Sequence, residues 1–347
     1  MGTTAITFTP TATATPAKLS RSTAAHCCSN RLNFPILFRN PNFKTKSSSS
    51  KSLVLSTRLH AKSSSVIGAA NQAVDASSPG SIGANDLLIV GPGVLGKLVA
   101  EKWREDHPGC QIFGQTMTTD HHDELAKIGI NPSLKGSKAT QEFPYVVFCA
   151  PTSRSLDYPG DIREAASSWS GEGSFLFTSS SAPFDCDDNG PCDEDFPVVP
   201  IGRRPRTDVL LKAEKVVLES DGCVLRLAGL YKADRGAHVY WLRKGTVDTR
   251  PDHILNLIHY EDAASLLVAI MKKKLRGRIF LGCDNHPLSR QEVMDLIKKS
   301  GKFSQKFEGF TGTNDPLGKK LNNEKTCKEI GWEPKYPSFA QFLGVSE

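Results

Sequence analysis

The chain has 347 residues, of which 43 are Lys or Arg, 37 are Asp or Glu and 39% are hydrophobic. Its charge is distributed unevenly, because residues 1–74 contain nine basic residues and no acidic one, which leaves 34 basic and 37 acidic residues in residues 75–347. A slightly acidic body excludes a general electrostatic attraction to nucleic acids or anionic lipids and argues against RNA or DNA as the main partner.

Residues 1–61 have the composition of an organelle transit peptide. They are basic, rich in Ser, Thr and Ala, and free of carboxylates, as such targeting segments are. The abundance of Ser favours the chloroplast stroma over the mitochondrion, and a disordered basic tail is the alternative. The segment has no apolar run long enough for a membrane helix or a secretory signal, so we expect no membrane association. Residues 62–85 are predicted to be a flexible linker.

From residue 86 onward, short apolar runs alternate with helical segments. Predicted strands are residues 87–90, 111–113, 145–150, 174–178, 223–227 and 278–281. Predicted helices are residues 94–105, 123–128, 161–169, 206–219, 260–271 and 289–299. Strands that alternate with helices indicate right-handed β-α-β units, and therefore an α/β fold with a doubly wound parallel sheet, the Rossmann architecture.

A glycine motif follows the first predicted strand. The sequence Gly91-Pro-Gly93-Val94-Leu95-Gly96 joins this strand to a helix, which is the context that a dinucleotide-binding loop needs. The first glycine permits the tight turn, the second lets main-chain N–H groups approach a pyrophosphate, and the third lets the helix pack on the sheet. These five named residues are predicted to bind NAD(P). The alternative is a tight turn that binds no nucleotide.

The choice between NAD and NADP stays open. An acidic residue at the end of the second strand would select NAD, and an Arg there would select NADP, but the chain has Gln115 and Thr116 at this point. We expect both side chains to contact the ribose. Residues Ala150, Pro151 and Thr152 follow a later buried strand, at the edge where a bound dinucleotide would pass. They are predicted to complete the cofactor site.

The nine cysteines show no Cys-x-x-Cys spacing and no His-rich partner pattern, so no metal site is predicted. Most of the cysteines are expected to be buried as small apolar residues.

Several later segments together resemble the extended or atypical branch of the short-chain dehydrogenase/reductase superfamily, the NAD-dependent epimerase/dehydratase-like proteins. The resemblance extends from Leu87 to Leu343. It rests on a serine-rich strand end at 178–184, an acidic loop at 193–197, and the segments 226–231, 256–262, 320–325 and 331–334. It implies an NAD(P)-binding Rossmann domain over residues 86–347 with a C-terminal substrate lobe, mainly residues 231–258 and 283–347. The oligomeric state stays open, with a homodimer as the candidate.

Family members use a Tyr and a Lys four residues later for proton transfer, together with a Ser or Thr that contacts the reacting oxygen. Ser181 matches the Ser position. The Tyr and Lys positions fall on Arg206 and Leu210 when Glu214 is the reference point, so the dyad is missing. We therefore consider Tyr231 as a substitute catalytic residue beside Ser181.

Two arginines are candidates for substrate binding, because a guanidinium forms two parallel hydrogen bonds with a carboxylate or phosphate. These are Arg206 and Arg235. Surface exposure without function is the alternative for Arg206.

The resemblance implies an NAD(P)-dependent oxidoreductase, or an epimerase or dehydratase, that acts on a small molecule or sugar nucleotide. The loss of a general acid–base group costs about 10²–10⁴ in rate, so the missing dyad leaves enzymatic activity open. The alternative function is a non-catalytic plastid protein, either a dinucleotide sensor or an RNA-associated scaffold.

Overall fold

The computed structural model describes residues 81–137 and 141–346. The predicted transit peptide lies outside the described residues, as does most of the predicted linker. Fifteen strands occur in these two ranges: β1 (Leu87–Val90), β2 (Ile112–Thr116), β3 (Ile130–Leu134), β4 (Phe143–Phe148), β5 (Trp169–Ser180), β6 (Pro191–Cys192), β7 (Cys223–Leu227), β8 (Gly229–Tyr231), β9 (Thr246–Val247), β10 (Ile254–Leu255), β11 (Leu257–His259), β12 (Ile279–Gly282), β13 (Leu288–Ser289), β14 (Gly309–Phe310) and β15 (Lys320–Leu321).

The same ranges contain nine α-helices and one short 3-10 helix. The α-helices are α1 (Val94–Asp106), α2 (His122–Lys127), α3 (Tyr158–Ser167), α4 (Pro205–Glu219), α5 (Ala237–Lys244), α6 (Tyr260–Lys272), α7 (Arg290–Ser300), α8 (Glu324–Ile330) and α9 (Phe339–Leu343). The 3-10 helix is Thr152–Arg154 and follows β4 directly.

Seven strands form one sheet in the order β12-β7-β5-β4-β1-β2-β3. All six neighbouring pairs in this sheet are parallel. The carboxyl ends of these strands therefore meet at one edge, which is where ligands bind in open α/β sheets. The predicted doubly wound parallel sheet is confirmed.

Strand β1 shows why the apolar run Leu87–Val90 forms a central strand. Leu87 and Ile89 pack in one hydrophobic cluster with Val99 and Trp103 of α1. Leu88 packs in a second cluster on the opposite face with residues of α3 and α4. Because successive side chains of a strand point to opposite faces, a strand covered by helices on both sides must be apolar throughout.

Two strands of the sheet differ from the sequence prediction. Strand β2 extends through Thr116, so Gln115 and Thr116 lie in the strand and not in the loop after it. Strand β3 was not predicted, and its sequence Ile-Asn-Pro-Ser-Leu contains Pro132. Proline lacks an N–H donor and is tolerated where a strand lies at the edge of a sheet, and β3 is an edge strand.

Residues of the predicted substrate lobe form a hydrophobic cluster of their own. It includes Tyr231, Trp241, Leu257, Met294 and Phe339. Helix α5 contributes to it through Trp241 and Leu242 and was not predicted from the sequence. The division of residues 86–347 into a core and a lobe stays a prediction.

Candidate functional site

Gly91 forms the turn that leaves β1. Its φ angle is +80°, and a Cβ atom added to it would lie 2.6 Å from the Cα atom of Ala150. Residues with a side chain rarely adopt this backbone conformation, and there is no space for a side chain at this position. The Gly91 N–H donates to the Gln115 carbonyl oxygen at 2.9 Å. The turn therefore packs directly between the ends of β2 and β4.

The other two glycines of the motif differ in what surrounds them. A Cβ atom on Gly96 would lie 2.9 Å from Cγ2 of Ile89, so Gly96 lets α1 pack closely on the sheet. A Cβ atom on Gly93 would meet nothing closer than the Gly91 carbonyl oxygen at 3.9 Å, and Gly93 is exposed. Open space at Gly93 and close packing at Gly96 match the two roles predicted for these glycines.

Helix α1 begins without a side-chain cap. Gly93 is its N-cap residue, no side chain bonds to the helix end, and the first turn has no acidic residue. Lys97 N donates to Gly93 O at 2.9 Å, so the N–H groups of Val94, Leu95 and Gly96 precede the first helical hydrogen bond. Such N–H groups and the helix dipole together attract an anion. The arrangement fits a pyrophosphate.

The end of β2 carries hydroxyl and amide groups and no charge. The Thr116 hydroxyl lies 2.7 Å from Nε2 of His122 and 3.2 Å from the Ser133 carbonyl oxygen. Gln115 lies beside Val90 in the paired strands. No acidic residue or Arg occupies this strand end, so the geometry here does not distinguish NAD from NADP.

Residues after β4 lie next to the glycine turn. Ala150 approaches Gly91 directly, and its carbonyl oxygen accepts a hydrogen bond of 2.7 Å from the Tyr158 hydroxyl. Pro151 precedes the 3-10 helix that begins at Thr152, and both residues are exposed. The structure therefore brings Gly91 and Ala150 together, as the prediction of a shared cofactor site requires.

Ser181 follows β5 at the same edge of the sheet. Its N–H donates to the Leu227 carbonyl oxygen at 3.0 Å, which fixes its main chain to the end of β7. Its side chain is half-buried. Ser181 therefore lies at the edge where a ligand of the glycine turn would extend.

Tyr231 lies in a different environment from Ser181. It is 0% exposed, and its ring packs against His259, Phe339 and Phe342 with centroid distances between 4.9 and 5.3 Å. Burial raises the pKa of its hydroxyl above the ordinary value. A phenol enclosed in the lobe cluster cannot reach a substrate, so the predicted catalytic role of Tyr231 has no structural support.

The two candidate arginines lie in different segments of the chain. Arg206 is exposed in the first turn of α4. Arg235 is half-buried and its main chain pairs with Lys232 in a β-bridge. Burial raises the pKa of Tyr260, and the charge of Arg235 and its hydrogen bond with the tyrosine oppose this effect in part. The substrate-binding role of Arg206 and Arg235 stays a prediction.

Sequence reasoning missed a buried network below Ser181. The Glu214 carboxylate of α4 accepts hydrogen bonds from Arg226 of β7 at 2.7 and 3.2 Å and from the Ser179 hydroxyl at 2.5 Å. It also missed Lys319, whose ammonium donates to the carbonyl oxygens of Ser181 and Phe184. The separation of Lys319 from Ser181 by 138 residues left no local signal for this contact.

Within residues 81–137 and 141–346, no group of three or more His, Cys, Asp or Glu residues is arranged to hold a metal ion. In the same part of the chain, no helix combines the length and the apolar composition that crossing a bilayer requires.

One curated protein is similar in sequence to part of the chain. No protein-family model matches the chain. Protein YeeZ of Escherichia coli K12 is 27% identical over 168 residues, which are 47% of this chain and 58% of YeeZ. The match thus spans little more than half the length of this curated relative.

Solved structures match over a larger part of the chain. A conserved protein of unknown function from Silicibacter pomeroyi has a TM-score of 0.62 and 23% identity, covering 75% of this chain and 96% of its own. dTDP-glucose 4,6-dehydratase from Bacillus anthracis, in complex with NAD, has a TM-score of 0.60 and 15% identity, covering 74% and 94%. UDP-glucose 4-epimerase from Thermotoga maritima has a TM-score of 0.59 and 16% identity, covering 75% and 96%. The chain therefore shares the Rossmann fold of these solved structures, two of which are an NAD-bound dehydratase and a sugar-nucleotide epimerase.

Proposed function

We propose that this chain binds NAD(P) and belongs functionally to the oxidoreductases or to the related epimerases and dehydratases, with a small molecule or sugar nucleotide as its substrate. The observation that supports this proposal most directly is the glycine turn. Gly91 and Gly96 are closely packed, Gly93 is open, and α1 begins with no capping side chain. Structural neighbours with the same fold carry NAD.

The proposed site assigns a role to each part of the sheet edge. The N–H groups at the start of α1 would hold the pyrophosphate. Gln115 and Thr116 would contact the ribose, and residues 150–152 would flank the cofactor. When bound, the nicotinamide would supply hydride transfer. Ser181 would orient the reacting oxygen of the substrate through its hydroxyl group.

Binding of the cofactor can be tested by thermal unfolding of the full chain with NAD, NADH, NADP and NADPH. A ligand that binds only the folded state at 100 times its Kd stabilises that state by about 2.7 kcal/mol. We expect at least one of the four dinucleotides to raise the unfolding midpoint by several degrees. The absence of a shift with all four at millimolar concentration would refute the cofactor proposal.

A non-catalytic dinucleotide sensor is a second candidate, because the acid–base dyad is missing from α4. Arg206 is exposed and Leu210 packs against the hydrophobic cluster of α3 and α4. A search of carbonyl compounds and sugar nucleotides for absorbance changes of the bound cofactor separates the two candidates. Turnover that Ser181→Ala reduces supports an enzyme, whereas dinucleotide binding without turnover on any substrate supports a sensor. Retention on plastid RNA at physiological salt would favour the RNA-associated scaffold.

The chloroplast location is also a proposal, and the composition of residues 1–61 supports it. A fusion of these residues to a fluorescent protein is expected to enter the plastid stroma, and a cytosolic signal would contradict it.

A further inference from the structure

The ammonium group of Lys319 lies beside the proposed active site. Its Nζ atom is 2.7 Å from the Phe184 carbonyl oxygen and 3.3 Å from the Ser181 carbonyl oxygen. It also lies 5.9 Å from the centroid of the Phe184 ring. Lys319 is half-buried, so it is only partly removed from water.

No carboxylate forms an ion pair with Lys319 within the described residues, and Asp187, which acts on its charge from farther away, is itself paired with Arg204. Arg203 and Arg204, on the segment that leads into α4, have partners in Asp185 and Asp187 at 2.7 and 2.9 Å. For Lys319, no carboxylate in residues 81–137 or 141–346 lies within 4 Å. Its two carbonyl acceptors satisfy hydrogen bonds but do not neutralise charge. Burial lowers the pKa of Lys319, as expected for a cation that is partly desolvated.

The main chain around Lys319 is held firmly in place. A Cβ atom on Gly318 would lie 1.9 Å from the Ile254 carbonyl oxygen, so a glycine is required there. The Asn189 side chain accepts a hydrogen bond from Gly318 N at 2.7 Å. The Asn256 side chain donates to Lys319 O at 2.9 Å and accepts from Leu321 N at 2.8 Å. These contacts therefore fix the backbone segment that places the Lys319 ammonium beside Ser181.

We propose that Lys319 binds an oxyanion of the substrate, a carboxylate or a phosphoryl group, next to Ser181. An ammonium group has three N–H donors, and two of them are used by the carbonyl groups. The third donor is available to a ligand, and so is the charge, which forms no ion pair within the described residues. Partly buried cations are normally paired, and an anionic substrate would provide the missing partner. This inference rests on the proposed function and narrows its substrate class to anionic compounds.

The test uses the full chain saturated with the dinucleotide that binds best, because this cofactor occupies the anion site at the start of α1. Inorganic phosphate and acetate are titrated separately at constant ionic strength, and the unfolding midpoint is recorded. We expect at least one of them to stabilise the native protein. The phosphate arm identifies a phosphorylated substrate class, and the acetate arm identifies a carboxylate.

Three variants make the test specific to Lys319. Lys319→Gln keeps N–H donors for the two carbonyl groups and removes the charge. It is expected to weaken anion binding about 10- to 100-fold, the range for a hydrogen bond to a charged group. Lys319→Arg keeps the charge and is expected to retain part of the affinity. Lys320→Gln removes the exposed neighbouring charge and is the matched control, with native affinity expected.

Two outcomes would overturn the proposal. One is a native protein that neither anion stabilises, and the other is a Lys319→Gln variant that responds as the native protein does. Dinucleotide binding is measured first in the absence of both anions. If it is absent, the proposed function fails. If it is present and the anion effect does not depend on Lys319, only the oxyanion inference fails.

Discussion

Glu214 of α4 and Arg226 of β7 form a buried ion pair with a nitrogen–oxygen distance of 2.7 Å and side-chain exposures of 4% and 5%. The Ser179 hydroxyl donates to the same carboxylate, and the Phe184 ring covers the guanidinium at 4.7 Å. The pair thus joins a helix to two strands below Ser181. Because each charge is removed from water, each depends on the other for compensation.

Replacement of Glu214 by Gln is predicted to destabilise the fold strongly. Arg226 would stay buried without a counter-charge, and breaking a buried pair in this way costs about 3–5 kcal/mol. The free energy of unfolding in urea measures the effect. The control is Glu219→Gln, which disrupts an exposed pair with Lys215 at 3.6 Å and should cost no more than about 1 kcal/mol. Equal losses in the two variants would contradict this account of the ion pair.

Two glycine substitutions are predicted to differ in their effects: one mainly weakens cofactor binding, and the other mainly lowers stability. Gly93→Ala adds a methyl group in open space, and Ala is a poorer N-cap residue than Gly, so stability should fall by no more than about 1 kcal/mol. The same methyl group would obstruct the pyrophosphate, and the dinucleotide Kd should rise at least about tenfold, which is 1.4 kcal/mol.

Gly91→Ala should cost more stability than Gly93→Ala. The added Cβ would lie 2.6 to 2.8 Å from atoms of Ala150 and would need a φ angle of +80°. Backbone strain alone is expected to cost about 1–3 kcal/mol, measured by urea denaturation beside Gly93→Ala. A Gly93→Ala variant that binds the dinucleotide like the native protein would contradict the role of this position.

Tyr231→Phe is predicted to preserve stability. The Tyr231 hydroxyl is buried and has no hydrogen-bond partner within the described residues, so its removal eliminates an unsatisfied polar group. The control is Tyr158→Phe, which removes the donor to the Ala150 carbonyl oxygen and should cost about 1–3 kcal/mol. Thermal and urea unfolding measure both variants. A loss for Tyr231→Phe that equals the loss for Tyr158→Phe would reveal a partner for the buried phenol.

Asp284 is predicted to make stability depend on pH. Burial raises the pKa of this carboxyl to about 7 from its ordinary value of 3.8, and its Oδ2 atom has no partner among the described residues. The folded state therefore binds the proton more tightly than the unfolded state does. The resulting stabilisation is fully present below about pH 4 and is lost as the pH rises through 7.

Asp284→Asn removes this titration. Its free energy of unfolding, relative to the native protein, should therefore increase between pH 5 and pH 8. The exposed Asp123, replaced by Asn, is the control and should show a much smaller change. A constant difference between Asp284→Asn and the native protein over this pH range would disprove the prediction.

The sequence by itself determined the architecture of the sheet and the position of the glycine turn. Both depend on short-range patterns: four consecutive apolar residues indicate a strand covered on both faces, and three glycines at fixed spacing indicate a strand–turn–helix junction. Neighbouring residues alone satisfy these requirements, so Leu87–Val90 and Gly91 to Gly96 were predicted correctly.

Only the tertiary structure decided which side chains surround Ser181. Lys319 reaches it across 138 residues because Gly318, Asn189 and Asn256 hold its backbone. Tyr231 packs against His259, Phe339 and Phe342. Strand β3 forms despite Pro132 because it pairs with β2 at the edge of the sheet. Each of these outcomes depends on packing between segments distant in the chain, and no local pattern encodes it.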